Sequence, residues 1–299
     1  MTGLRLSPCG VPKLLKKGFF SVKEVRTVLS KPSTPFEKVL PREIAYAVDF
    51  VVFQDIDIEE VGKVFEKYNL QVNVDKTEFT NLSRGETNWQ TTKKVGTLIG
   101  DQEDIERRRQ LSSAALVKLK NVWLKGDKIT KNTKLKLYKA LVKSVLTYNC
   151  GTWAPTQSQE ERLNALHRKQ LKKVLNIKYP VKITNSSLYN KCNERPLSIF
   201  ILESRWRLFG HILRRDSQIP ANQAISGYFV TEGSKFKGRP LTTLPVVLNR
   251  DLSRIITSNL QLKSSHNLEH LRSIAQQRDE WTKRTARIRE AAEASQSEH

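Results

Sequence analysis

"LSIFILESRWRLFGHILRR", residues 197–215, decides the fold class. Ile199, Leu202, Trp206, Phe209 and Leu213 recur every three or four positions, the spacing that places side chains on one stripe of an α-helix. Arg205, Arg207, Arg214 and Arg215 are expected largely off that stripe, so the segment reads as one long helix with a buried face. Trp206 and Phe209 sit i, i+3 among Ile and Leu, which favours core packing over a base-stacking platform. His211 has neither Cys nor a second His at ligand spacing and reads as a structural or hydrogen-bonded histidine. Working outward, the same period groups Leu135, Tyr138, Val142, Val145 and Tyr148 on one face, and Leu163, Leu166, Gln170, Val174 and Ile177 on another. Cys150 and Trp153 follow the first of these faces and read as core. Further helices are expected around 218–227, 241–257 and 266–292, with a Ser/Glu/Gln-rich end that should fray.

Before residue 101 the pattern is different. Residues 1–43 hold five prolines and little periodicity, and read as a basic, poorly ordered leader with one short helix near Val22 to Leu29. A strand hairpin is expected over 44–53, with Asp49 as a lone acid at its tip. Asp57 with Glu60 has the spacing of a capping box opening a helix through about Asn69. The alternation in "LQVNVDKTEFTNL", 70–82, predicts a strand pair, and "KKVGTLIG", 93–100, a further short strand ending in a Gly turn. The fold class is therefore α+β, mostly α: a short β-hairpin unit, then a basic helical region.

The charge is concentrated. The chain of 299 residues carries a formal +22. From Arg107 to Lys143 there are twelve Lys/Arg against one acid, Asp127, and from Arg162 to Lys182 seven against none, so these stretches hold +18 of the total. Arg107, Arg108, Lys118, Lys120, Lys134, Lys136, Lys139, Arg168, Lys169, Lys172 and Lys173 alternate with apolar residues, as amphipathic helices with a cationic face would. A field of one sign contributes nothing to folding and implies a polyanionic partner, nucleic acid ahead of a membrane surface. No apolar run approaches the length of a membrane span and no signal-peptide core opens the chain, so an intracellular location is expected, nucleus and cytoplasm undistinguished. Cys9, Cys150 and Cys192 lie far apart without CxxC spacing, which argues against a disulfide framework and a zinc knuckle. GxSxG, HExxH, Walker A and GxGxxG are all missing, so no second chemistry and no small-molecule substrate are indicated.

"YAVDF", 46–50, resembles the YxDD hairpin of reverse transcriptases, and the order around it is that of a LINE-type (non-LTR) retrotransposon polymerase. "NVDKTE" (73–78) is similar to the next palm motif of that family, and "KKVGTLIGD" (93–101) to the primer-grip hairpin. "KLKLYKALVKSVLTYNCGTWAPT" (134–156), "LHRKQLKKVLNIKYP" (166–180), "ESRWRLFGHILRRD" (203–216) and "KGRPLTTLPVVLNRDL" (237–252) resemble, in order, the segments after the palm. The resemblance runs over about 44–285 and rests on the collinear series. It implies a palm remnant at 44–100, a helical thumb at 101–180, a post-thumb region at 181–285 and a frayed tail at 286–299. It also implies roles: Tyr46 and Asp49 from the catalytic hairpin, Lys76 near the incoming nucleotide, and Lys93, Lys94 and Gly96 at the primer grip.

Polymerases of this kind hold two Mg²⁺ about 4 Å apart on carboxylate oxygens, and magnesium accepts few substitutes for such ligands. Here Val48 stands where the first hairpin Asp belongs and Asp49 matches only the second, while Asp is missing from the 43 residues before the hairpin, where the family would place its third. Valine has no lone pair to offer. The expectation is thus a catalytically defective fragment that binds an RNA–DNA or DNA duplex nonspecifically, with no confident cofactor. The alternatives are a polymerase module that needs an upstream fingers polypeptide, and a structural or interaction protein. Trp89 in a polar segment is a candidate for base stacking, and "KGRP", 237–240, either a turn into a helix or a minor-groove insert.

Overall fold

The computed structural model describes residues 43–46, 49–52, 58–66, 89–94, 96–124, 129–230, 242–255, 261–262 and 264–297. The chain divides into two compact units, Met1–Asn88 with Gln218–Gly227 and Trp89–Ser217 with Tyr228–His299. It is mostly helical; strands among the described residues are confined to two short hairpins.

In the first unit, β1 (Glu43–Tyr46) pairs antiparallel with β2 (Asp49–Val52), Tyr46 lying opposite Asp49 and Glu43 opposite Val52. The hairpin expected over 44–53 thus forms, and α1 (Ile58–Glu66) follows it. The strand pair expected over 70–82, the leader helix and the residue proposed as the cap of α1, Asp57, lie outside the described residues.

The second unit opens with β3 (Lys93–Lys94) and β4 (Thr97–Leu98), a hairpin where the sequence suggests one short strand. Gly96 sits between them at φ +78, a left-handed conformation that costs other residues about 1 kcal/mol or more. Asp101, Glu103 and Asp104 open α2 (Asp101–Lys118), where negative charge complements the helix dipole. The short α3 (Lys120–Leu124) precedes α4 (Lys131–Tyr138), which Thr130 caps by accepting from the Thr133 N–H. α4 runs on through a π-helical stretch, Lys139–Lys143, into a last α turn, Ser144–Leu146. Here the expected face is corrected: Leu135, Tyr138, Val142 and Leu146 are buried, whereas Val145 is not and Tyr148 is 45% exposed. The wider π turn, with the chain leaving the helix after Leu146, is the physical reason.

A capping box of Thr156 and Gln159 starts α5 (Gln157–Val174). It ends on Asn176 at φ 54, where the Ile177 N–H donates to Lys172 O at 2.9 Å and the Asn176 N–H to Lys173 O at 3.2 Å, a Schellman closure. α6 (Asn185–Cys192) is capped by Thr184 and leads to α7 (Leu197–Leu213), the segment quoted first. Most of α8 (Pro220–Val230) belongs to the first unit, while α9 (Leu244–Ser253), α10 (Ser265–Gln276) and α11 (Arg278–Ser297) complete this one. The single helix expected over 266–292 is two, because Gln277 takes extended angles, φ −90 and ψ 97.

Two apolar clusters hold the second unit together. One joins Leu116, Trp123, Leu135, Tyr138, Val142, Leu171, Val174 and Leu188 across α2 to α6; the other joins Ile105, Leu146, Trp153, Leu163, Leu197 and Ile201. Trp206, Phe209 and Trp281 form an aromatic trio with ring centroids 5.5 to 5.9 Å apart, so Trp206 and Phe209 are core as expected. Arg205 corrects the stripe assignment. It is 1% exposed and bonded to Asp251, because it lies three residues after Leu202 and four before Phe209, within the buried arc rather than beside it.

Candidate nucleic-acid interface

Arg107 and Arg108, beside the β3–β4 hairpin, are engaged by the fold. Asp104, buried in α2, accepts from Thr97 Oγ1 at 2.8 Å, the Leu98 N–H at 3.0 Å and Trp153 Nε1 at 3.0 Å, tying the hairpin and the loop before α5 to one carboxylate. Arg107 donates to Gly96 O at 3.0 Å, and Arg108 donates to the same oxygen. The Arg108 guanidinium also lies 4.4 Å over the Tyr148 ring and is 6% exposed, so it clamps the hairpin turn instead of facing a phosphate. Lys93 is exposed beside this turn. Lys94 belongs to β3.

Around α4 the cations divide. Lys118, Lys120 and Lys136 are exposed. Lys134 donates to Trp123 O at 3.2 Å, and Lys139 and Lys143 reach Glu194 at 3.1 and 2.6 Å. Burial pushes the Glu194 carboxyl upward, but the hydrogen bond and charge of Lys143 outweigh it and hold the group below its ordinary value. His167 is fully buried beside this carboxylate, 4.0 Å away, and its ring stacks on Tyr138 at 6.0 Å. Burial first, and the nearby Lys143 ammonium second, lower it to about 4, so it is neutral at physiological pH. Tyr138 donates to Gln170 Oε1 at 2.9 Å, and Gln170 donates to Ser112 at 3.2 Å, a polar seam linking α4, α5 and α2.

α5 carries the open cationic face. Its buried side holds Leu163, His167, Gln170, Leu171 and Val174. On another side Arg168, Lys169, Lys172 and Lys173, spaced by three and four, line a groove of about 620 Å³ that continues past the helix end to Ile177 and Lys178. No acid occurs between residues 162 and 182 to neutralise this row. Part of the row serves the helix itself, since Lys172 and Lys173 meet the negative end of its dipole. That need is met within the last turn and does not extend to Arg168 or Lys178. The geometry can hold successive phosphates of a polynucleotide without touching a base edge.

Tyr46 and Asp49 face each other across β1–β2; Val48, Lys76 and the "KGRP" stretch lie outside the described residues. Among the described residues no group of three or more His, Cys, Asp or Glu converges on one point. A single hairpin carboxylate beside a valine is a donor set that does not fit a pair of magnesium ions. Cys150 is buried and burial raises its thiol to about 11, so it is core, as its position after a helix face suggested.

Sequence reasoning missed the polar junction of α5, α7 and α9. Asp251 accepts from Arg205 Nε at 3.2 Å, Arg205 NH2 at 3.0 Å and Trp206 Nε1 at 3.1 Å, while Arg250 reaches Glu160 at 2.5 Å. The available signal was periodic: Val247, Leu248 and Leu252 share their buried face with Asp251. An acid on an apolar stripe implies a buried partner. Compared with family models, curated proteins and solved structures, the chain matches none of them.

Proposed function

We propose that this chain is the C-terminal part of a LINE-type reverse transcriptase, a palm remnant followed by thumb and post-thumb helices, which clasps nucleic-acid backbone and does not itself polymerise. The observation that carries the binding half is the row Arg168, Lys169, Lys172 and Lys173 along an open groove, in a stretch with no acid between residues 162 and 182. The kinship half rests on the collinear motifs from "YAVDF" onward, and the loss of catalysis on Val48 in a ligand position. Lys118, Lys120 and Lys136, exposed in the preceding helices, extend the cationic surface, whereas Arg107, Arg108, Lys134 and Lys139 also serve the fold.

Backbone binding of this kind is nonspecific, with dissociation constants on the order of 1–100 µM at physiological salt. A labelled RNA–DNA hybrid titrated from about 50 to 200 mM salt should show steep weakening, and reversing Lys169, Lys172 and Lys173 to Glu should reduce the log–log slope by about 2.7, roughly 0.9 per phosphate contact. A flat salt response, or a triple variant that binds like the parent, contradicts the electrostatic grip. Unaided extension of a primed template with magnesium and deoxynucleotides contradicts the inactive assignment.

A further inference from the structure

Directly after α5 the chain holds an aromatic side chain in water. Tyr179 is 94% exposed and Val181 66%, at a turn closed by the Val181 N–H donating to Lys178 O at 3.0 Å. The other tyrosines whose side chains are described are less exposed: Tyr138 0%, Tyr189 8%, Tyr228 44%, and Tyr148 45% beneath the Arg108 guanidinium. A lone exposed apolar residue is ordinary and implies nothing by itself. The surroundings distinguish this one. Lys178, which lines the cationic groove, precedes it, Lys182 follows, and no acid lies between residues 162 and 182. Pro180 restricts the backbone of Tyr179 and so lowers the entropy lost when the ring is used for binding.

We propose that Tyr179 stacks on an unpaired nucleobase whose phosphates lie along the groove of α5, so that this surface takes single-stranded nucleic acid, or a single-stranded end, in preference to a closed duplex. The inference rests on the reading of the α5 row as a nucleic-acid surface and adds the substrate class to it. The match is one of complementary parts. Cations follow a phosphate chain, and an aromatic face at the end of the cationic row meets a base, as single-strand binding surfaces combine them. A base inside a duplex has both faces covered by its neighbours, so the ring gains this contact only where a base is unpaired. Stacking needs the ring and not the hydroxyl, which makes phenylalanine the conservative replacement.

The test uses the full chain with a fluorescein-labelled oligothymidine about 15 nucleotides long and a blunt DNA duplex of the same length. Tyr179→Ala should weaken oligothymidine binding roughly 5- to 100-fold while Tyr179→Phe stays within about twofold of the parent. Neither variant should change the salt slope, because no charge is altered, and blunt-duplex binding should be unaffected. A 2-aminopurine placed in the strand should lose fluorescence on binding the parent and Tyr179→Phe, and keep it with Tyr179→Ala. Because the side chain touches so little of the protein, the alanine variant keeps the fold. Equal oligothymidine binding by Tyr179→Ala and the parent overturns the stacking, as does an equal loss on the blunt duplex or an equal loss in Tyr179→Phe. If the parent binds neither oligonucleotide, the α5 surface reading falls and this inference with it; if the parent binds both with a steep salt slope and Tyr179→Ala matches it, the stacking alone falls.

Discussion

Replacing Asp251 with Ala isolates a fully buried ion pair of the helical unit. Asp251 is fully buried, and its Oδ2 receives Arg205 Nε, Arg205 NH2 and Trp206 Nε1 at 3.2, 3.0 and 3.1 Å, with Arg254 3.6 Å from Oδ1. Alanine leaves the Arg205 guanidinium, 1% exposed, with a bond to Trp153 O at 3.3 Å and without its bonded carboxylate. Removing one partner of a buried ion pair costs about 3–5 kcal/mol, because the remaining charge stays desolvated. The orphaned Trp206 indole carries a penalty of about 1–3 kcal/mol of its own, which overlaps with the first inside one network. For a unit of this size each kcal/mol lowers the melting temperature by about 2–4 °C, so the fall should be roughly 6–20 °C. Thermal unfolding followed by tryptophan fluorescence and circular dichroism reads the fall, and urea unfolding the free energy behind it. The double variant Arg205→Met/Asp251→Leu removes the stranded charge and should recover about half of the loss, keeping about 1–3 kcal/mol for the indole. A single variant that costs less than about 1 kcal/mol, or a double variant as damaging as the single, refutes the assignment of Asp251 as the counter-charge of Arg205.

Two further outcomes follow from the packing and titration of the same unit. A Cβ on Gly210 would lie 2.2 Å from Trp281 Nε1, whose N–H donates to Trp206 O at 3.1 Å. Gly210→Ala should therefore displace the indole and destabilise by about 1–3 kcal/mol, with a red-shifted emission, and an unchanged urea midpoint would show that the α7–α11 contact is looser than described. His167 is held at about 4 against an ordinary 6.5, so between these values the unfolded chain binds a proton that the folded protein refuses. Stability should fall as pH is lowered through that window, by about 3 kcal/mol at the full shift, with the lowered Glu194 adding its own loss as pH falls further. Urea midpoints taken from neutral to acidic pH test this, and a His167→Phe variant whose profile is as steep as the parent's would sink it.

Much of the helical region was legible because amphipathic periodicity is a local property. α5 and α7 follow the three-and-four spacing of their apolar residues, and the cap at Thr156 and the Asn176 closure agree with chemistry written in the adjacent residues. Legibility failed where a local rule met a distant partner. The face of α4 was misassigned at Val145 and Tyr148 because the π-helical stretch alters the winding, and residue spacing does not announce such a stretch. Of the candidate site, the row on α5 was visible as charge, but Arg108, Lys134 and Lys139 read as equally free cations and are not.

The amino-acid order by itself determined the helical character, the concentration of positive charge in two stretches, and the valine beside Asp49, since each depends only on residues next to one another. Tertiary structure alone decided which cations answer to carboxylates of the fold. Arg205 finds Asp251 across 46 positions and Lys143 finds Glu194 across 51. In water such charges are equivalent, and only the desolvation that accompanies packing makes one of them dependent on its partner.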